Sequence, residues 1–412
     1  MPAKKCSAPG AGTIRKKTVN RNGKKYTYWE ARYTEGYDPG TGKQIQRSIT
    51  GKTQKEVSQK LKTATLAIDT GTYIAPSKQT LGEWLDIWLA TYCSNIKPRT
   101  REIYNTDIRV HIKPSLGSVR LETLTPPMVQ AFYNKLAVEG REIKTKDASG
   151  KIKITKGPLS PKTIKNIHGV LHKALQQAVL IGALRMNPTV ACTLPRDVKK
   201  ELTPLDDEDI TAFLAAIQGN PHEVLLSVAL FCGLREGELL GLKWECVDFD
   251  SGTITINKQL QRYREPSGGV YRISVPKNSK GRVIVPAPSV MVLLRHQKIE
   301  QTKARLFAGE AWEDDDFVFT DALGHHLTNW TVYRAFKRVA TKIGRPDARF
   351  HDLRHSYAVA AIRSGDDIKT VQENLGHATA SFTLDVYGHV TKQMRQASAE
   401  RMEAYIKSVS GK

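Results

Sequence analysis

Nowhere in the 412 residues does an apolar run approach the roughly 18 to 20 residues that a bilayer-spanning helix needs. The opening MPAKKCSAPGAG has no apolar stretch of the kind a secretory leader carries. Cysteine is scarce: Cys6, Cys93, Cys192, Cys232 and Cys246 form an odd, scattered set without a C-x-x-C pair, which supports neither a disulfide framework nor a zinc cluster. Free thiols in a reducing, intracellular setting are the expectation. Acidic residues are the third shortage, because 41 Asp plus Glu stand against 63 Lys plus Arg, a formal charge of +22. Such a surplus favours a polyanionic partner, nucleic acid or an anionic membrane. With 40% hydrophobic and 25% charged residues the chain still builds ordinary cores, so the surplus is laid over folded domains rather than carried by a disordered basic tail.

A chain of this length suggests two or three domains. The first segment is the most basic: residues 1–76 hold 15 Lys plus Arg against 5 Asp plus Glu, a net +10. In it TIRKKTVNR and KKYTYWEARYT flank Asn22-Gly23, a pair that supplies the positive φ angles of a tight hairpin. DPGTG then turns the chain into KQIQRSIT, and a helix starts at Thr53, with Glu56 three residues on completing a capping box. Lys25, Tyr26, Tyr28, Trp29 and Arg32 interleave basic and aromatic side chains, as a sheet laid in a DNA groove requires. The plainer alternative is a small sheet with a solvated basic face.

TYIAPSKQ (72–79) reads as a linker, and Thr80 with Glu83 opens a helical domain with a second capping box. Helices are predicted over roughly 80–93, 98–110, 125–139 and 160–183; in the last, Ile164, Ile167, Val170, Leu171, Leu175 and Val179 share one face and should be core. Residues 140–159 interrupt the bundle with a basic, Gly-punctuated hairpin expected on the surface. A second linker (193–204) leads to a third domain of about two hundred residues. There a single helix is expected through LLSVALFCGLREGELLGL, followed by strands in GTITI, VYRISVP and RVIVP and then mostly helix to the end.

Four segments of that last domain carry candidate chemistry: GLREGELLGLKW (Arg235, Glu238), PKNSKGR (Lys277), HDLRHSYA (His351, Arg354) and LGHATASFTLDVYGH (His377, Tyr387). Each alone has a plain structural reading. An Arg-x-x-Glu on a helix is most often a weak surface ion pair, a basic turn usually faces solvent, and a tyrosine in a helical stretch is usually half-buried core. His351 and His355, four apart, also invite comparison with H-E-x-x-H zinc sites, but Asp352 stands where the general-base glutamate belongs and no third ligand is evident.

Taken in order and spacing, the four segments resemble the tyrosine recombinases, specifically the integrases of temperate phages and conjugative transposons. That family carries an Arg in a G-L-R-x-x-E-L-x-x-L-x-W context, a hairpin Lys, an H-x-x-R box, and L-G-H followed nine or ten residues later by a Tyr nucleophile. The resemblance implies the catalytic set Arg235, Lys277, His351, Arg354, His377 and Tyr387. Lys277 shares its turn with Lys280 and Arg282 and is preferred because it follows the strand ISVP and precedes a short basic turn and VIVP. Glu238 is expected to orient Arg235.

The residue types suit the reaction. Planar guanidinium groups clamp two phosphate oxygens at once, so Arg235 and Arg354 would hold the scissile phosphate, with His377 adding a hydrogen bond. Tyr387 would attack phosphorus; its phenol, with a reference pKa of about 10, benefits from a base, for which His351 is the candidate. Lys277 would protonate the departing 5′-oxygen, as the resemblance implies. Neither metal nor other cofactor is expected. In fold the resemblance implies an α+β, mainly α chain of the DNA breaking-rejoining type: a small N-terminal three-stranded sheet plus helix (1–76) for arm-type DNA, a helical core-binding domain (79–192), and a mixed, mostly helical catalytic domain with a β-hairpin and small sheet (200–412). The expected partners are double-stranded DNA at core-type and arm-type sites and a homotetramer on DNA, with excisionase and a host DNA-bending protein as optional additions and no membrane. The expected location is the bacterial cytoplasm, at the nucleoid.

Two rivals keep part of this picture: a type IB topoisomerase-like relaxing enzyme, and a non-catalytic DNA-binding regulator with the same fold. At the C-terminus, Val390, Met394, Ala397, Met402, Tyr405 and Ile406 approximate a helical stripe. It packs either on its own domain or, as in the resembled family, on a neighbouring protomer.

Overall fold

The computed structural model describes residues 12–38, 40–70, 73, 78–146, 152–197, 203–265, 268–276, 281–376 and 392–410. The chain forms two compact units, Met1–Val198 and Lys199–Lys412.

The first unit begins with an antiparallel sheet of β1 (Thr13–Arg21), β2 (Lys24–Tyr37) and β3 (Gln44–Gly51), in that order. Asn22 and Gly23 sit at φ 49° and 76°, the left-handed pair the tight turn demands. Helix α1 (Gln54–Asp69) covers one face, burying Ala31 and Tyr33 against Val57 and Leu61. Thr53 caps the helix by accepting from the Glu56 N–H, but the Glu56 carboxylate accepts from the Lys52 N–H rather than from Thr53, so the box is closed one residue early. Side chains alternate across a strand, and Trp29 packs with the core on the α1 side, not with the groove-facing set. The opposite face carries Arg15, Lys17 and Arg32 around the buried Glu30, whose carboxylate accepts from Arg15 at 2.6 Å and Lys17 at 3.2 Å.

The helical part comprises α2 (Leu81–Thr91), α3 (Pro98–Asp107), a π-helical turn (Ile108–Ile112), α4 (Lys113–Leu116), α5 (Pro126–Glu139) and α6 (Pro161–Leu180). Thr80 and Glu83 form the full capping box. Ile164, Ile167, Val170, Leu171 and Leu175 of α6 are buried as their spacing predicts, with Val179 packed at the edge. Trp84 reaches across from α2 to donate to the Ala174 carbonyl at 2.9 Å. The π turn has a cause in the sequence: Pro114 has no N–H for the Val110 carbonyl and its ring crowds that turn, so the ladder widens and the Lys113 N–H bonds to Ile108. Between α5 and α6, β4 (Arg141–Lys146) and β5 (Ile152–Gly157) pair as a two-stranded ribbon whose described side chains are exposed apart from Gly157.

The second unit contains α7 (Asp207–Ile217), α8 (Glu223–Cys232) and α9 (Glu236–Leu240), then β6 (Val247–Asp248), β7 (Thr253–Ile256), β8 (Gln259–Glu265), β9 (Gly268–Ser274) and β10 (Arg282–Ile284). Four helices follow, α10 (Pro288–Ala308), α11 (Asn329–Lys342), α12 (Asp352–Arg363) and α13 (Ile368–Leu375), and α14 (Lys392–Ser410) is the last described element. The sheet order is β10-β7-β6, all antiparallel, and β8 pairs with β9 in a separate ribbon. Helix α8 is buried on nearly every side and forms the middle of the core. The single helix expected through LLSVALFCGLREGELLGL is two: Gly233 turns left-handed at φ 60°, and a Cβ there would lie 2.5 Å from the Tyr357 ring. On α14, Met402, Tyr405 and Ile406 are exposed, while Val390 lies outside the described residues.

One carboxylate of the helical bundle is at odds with its surroundings. Asp107, half-buried where α3 runs into the π turn, has an Oδ2 without a hydrogen-bond partner, and burial pushes its carboxyl up to about 6. Its contribution is favourable below the unfolded value near 3.8, where the group is protonated in both states, and is lost as pH rises through about 6. Asp107→Asn should therefore stabilise the protein at pH 7.5 by on the order of 1 kcal/mol. Urea unfolding at several pH values checks this: the gain should shrink through about pH 6 and vanish near pH 4.

Candidate active site

The site is organised by the last turn of α13. A helix C-terminus leaves its final carbonyls without intrahelical donors, and the aligned peptide dipoles make that end attractive to cations. Here Gly376, left-handed at φ 62°, caps the helix, and three consecutive carbonyls receive three different arginines. Arg282 Nε donates to Asn374 O at 2.7 Å, Arg354 Nη2 to Leu375 O at 2.5 Å, and Arg235 Nη2 to Gly376 O at 3.1 Å. Asn374 is itself tied to α12, its Nδ2 donating to the Tyr357 hydroxyl at 3.1 Å.

Arg235 is the residue just before α9, delivered there by the break at Gly233. Its Nη1 donates to Glu238 Oε1 at 2.7 Å and its backbone N–H to Oε2 at 3.1 Å, while 29% of the side chain stays exposed. Glu238 does orient this arginine, but it is no weak surface pair, being only 1% exposed. Arg282, from β10, grips the same carboxylate from the other side, with Nη1 to Oε1 at 3.1 Å and Nη2 to Oε2 at 2.7 Å. Burial raises the Glu238 carboxyl, but the Arg282 hydrogen bonds and the charges of Arg282 and Arg235 outweigh it and bring the group down to about 2.

Arg354 lies in the first turn of α12 and is 2% exposed. Besides its bond to Leu375, its Nη1 donates to Gly233 O at 2.7 Å, so one guanidinium joins the C-terminal ends of α8 and α13. His351 stands at the N-terminus of α12. It keeps an exposed face, yet desolvation of the ring and the positive charges of Arg354 and Arg235 hold its pKa below the usual histidine range. Its neighbour His355 is buried, packed edge-on against it with ring centroids 4.9 Å apart, and pushed down to about 4 by burial and by His351. Asp352, in the position that would serve a zinc protease, is buried and committed to Arg349, accepting from its backbone N–H and its guanidinium at 2.8 Å each. Among the described residues no group of three or more His, Cys, Asp or Glu could hold a metal ion.

Three of the six expected catalytic residues, Arg235, His351 and Arg354, are thus brought into one site. Lys277, His377 and Tyr387 lie outside the described residues, as do Lys280 and the turn that carries them. Sequence reasoning sees Arg282 only as a companion of Lys277 in a basic turn. The signal that separates it is positional: it begins the strand R-V-I, which pairs Arg282 with Ile256 at the core side of the sheet.

Residues 203–394 match the phage integrase family, and residues 80–137 match the phage integrase N-terminal SAM-like domain. A XerC-like tyrosine recombinase of Caldanaerobacter subterraneus subsp. tengcongensis is 29% identical over 399 residues, 93% of this chain and 97% of that protein. The ICEBs1 integrase of Bacillus subtilis is 25% identical over 382 residues, 89% and 95% of the two chains. Among solved structures, the Tn1549 transposon integrase in complex with a circular intermediate DNA superposes with a TM-score of 0.62 at 22% identity, covering 79% of this chain and 99% of that one. A lambda integrase dimer bound to a core site gives 0.52 at 20%, covering 95% and 99%. These two establish the shared fold. With the two domain matches spanning more than half of its length and its curated relatives aligned almost end to end, the chain belongs to the phage integrase family and is a tyrosine recombinase.

Proposed function

We propose that the protein is a site-specific DNA integrase that cuts and rejoins DNA through a covalent 3′-phosphotyrosyl intermediate and a Holliday junction, inserting and excising a mobile element. The observation that carries this reading is the anchoring of Arg235 and Arg354, 119 positions apart in the sequence, on the adjacent carbonyls of Leu375 and Gly376, immediately before His377. Arg235 and Arg354 clamp the non-bridging oxygens of the scissile phosphate, and His377 adds a further hydrogen bond. His351 takes the phenolic proton as the Tyr387 oxygen bonds to phosphorus. The bond from phosphorus to the 5′-oxygen breaks, and Lys277 protonates that oxygen to leave a 5′-hydroxyl. The phosphotyrosyl bond keeps the diester's energy, so the 5′-hydroxyl of another strand reverses the step without a cofactor.

The N-terminal sheet (1–76) binds arm-type sites, the helical domain (79–192) and the catalytic domain (200–412) hold the core-type site, and four protomers act on two sites. The open face of β1 to β3, with Arg15, Lys17 and Arg32, supports the first assignment. A lambda integrase tetramer has been solved on a Holliday junction, and that assembly is the one inferred for this chain. Excisionase and a host DNA-bending protein are optional additional partners. No helix among the described residues is long and apolar enough to cross a membrane, and the cytoplasm, at the nucleoid, is the proposed location.

A nicked suicide substrate tests the chemistry. Wild type should accumulate a covalent protein–DNA band, Tyr387→Phe should give none, and Arg235→Ala should slow its appearance by about 100-fold or more while duplex binding persists. A covalent band that survives in Tyr387→Phe removes the nucleophile assignment.

Because the base must be neutral to accept a proton and His351 is held below the ordinary histidine value, the acid limb of cleavage under subsaturating DNA should lie below about pH 6.5. A limb above about pH 7 would exclude His351 as that group.

Replacing Arg15, Lys17 and Arg32 together by Ala should weaken binding to arm-type duplex and lower the slope of log K against log salt by about 1 for each phosphate that is no longer neutralised. Core-site binding measured in parallel should be unchanged.

A further inference from the structure

We propose that Arg282 is a positioning residue for strand cleavage, one that holds Arg235 in its phosphate-facing pose through Glu238. The inference rests on the active-site reading above.

Arg282 bonds to three acceptor atoms on two different elements. Its Nε donates to Asn374 O at 2.7 Å, and its Nη1 and Nη2 take the two Glu238 oxygens at 3.1 and 2.7 Å. The side chain is 11% exposed, so these bonds work with little competition from water. Its fit to the α13 turn is close: a Cβ on Gly376 would come within 3.1 Å of Arg282 Cδ and Nη1. The guanidinium is a planar fork, and a lysine ammonium at the same place meets one of these acceptors but not all three.

The geometry assigns a division of labour between two arginines that share one carboxylate. Arg235 is the more exposed of the pair, at 29% against 11%, and it faces the substrate side. Arg282 satisfies Glu238 from beneath, so the carboxylate does not draw the whole Arg235 fork inward. Without Arg282, a carboxylate that is 1% exposed would be left with a single guanidinium, and Arg235 would turn its paired N–H groups toward Glu238 and away from phosphate. The deficit should therefore fall on the chemical step and leave DNA affinity nearly intact.

The experiment uses the full-length protein as wild type, Arg282→Ala, Arg282→Lys, Arg235→Lys and the double variant Arg282→Ala/Arg235→Lys. Single-turnover formation of the covalent complex is measured on a nicked core-site duplex, with duplex affinity and thermal melting in parallel. Arg282→Ala should bind within about 3-fold of wild type and cleave about 100-fold more slowly, and Arg282→Lys should recover about a tenth of the wild-type rate. Because Arg282 acts through Arg235, the double variant should be no more than about 3-fold slower than Arg235→Lys alone. Wild-type cleavage by Arg282→Ala, a deficit that matches a loss of DNA affinity, or rate losses that multiply in the double variant would each overturn the proposal. Should the Ala variant fail to melt cooperatively, Arg282→Lys carries the test, and a wild-type rate in that variant overturns it. Absence of any covalent complex with the wild type would instead overturn the active-site reading.

Discussion

The catalytic half of this protein depends on how one short helix ends. An α-helix that stops inside a protein must find donors for its last carbonyls, and α13 finds them in guanidinium groups from three other places in the chain: the residue before α9, the edge strand β10, and α12. The left-handed Gly376 makes this possible by turning the chain sharply enough to present three carbonyls in succession. The arginines are consequently oriented by backbone atoms, which have fewer ways to move than side chains. The three guanidiniums are in this way set in place by the fold itself.

Glu238 is the second constraint. Burying a carboxylate is costly unless it is paired on all sides, and Glu238 accepts from two guanidiniums and the Arg235 N–H. Breaking one partner of such a pair costs more than the pair gains, which makes the Arg235–Glu238–Arg282 unit stiff against small displacements. Arg354 is held differently, by backbone carbonyls at the C-terminal ends of α8 and α13. The break at Gly233 serves both Arg354 and Arg235: it frees a carbonyl for the first and sets the second two residues later at the start of α9.

Much of this is legible in the sequence, and the rest is hidden for definite reasons. The hairpin at Asn22-Gly23, the Thr80–Glu83 box and the apolar face of α6 are readable because each is written in residues close together in the chain. The helix break at Gly233 is masked by apolar residues that continue in helical spacing across it; the Tyr357 ring and the Leu375 side chain, both distant in sequence, show why no side chain fits there. Trp29 resembles part of a groove-facing set because basic and aromatic residues alternate imperfectly along β2, and it is α1 that decides which face is core. Arg282 resembles one more cation in a basic turn. Its distinction lies in what it meets, Asn374 and Glu238, 92 and 44 residues away, and no local pattern encodes that.

The charge balance of the site connects the fold to the reaction. Three guanidiniums and one carboxylate give the described core of the site a net charge of +2, with His351 biased toward its neutral form by burial and by the arginines around it. The positive excess that remains is of the sign an anionic phosphodiester requires. Glu238 contributes to the balance by what it removes. Without it the three guanidiniums would repel one another across a shared helix end. The buried carboxylate sets the number of charges as well as their positions, and it leaves the excess on the side of Arg235, the arginine with an open edge.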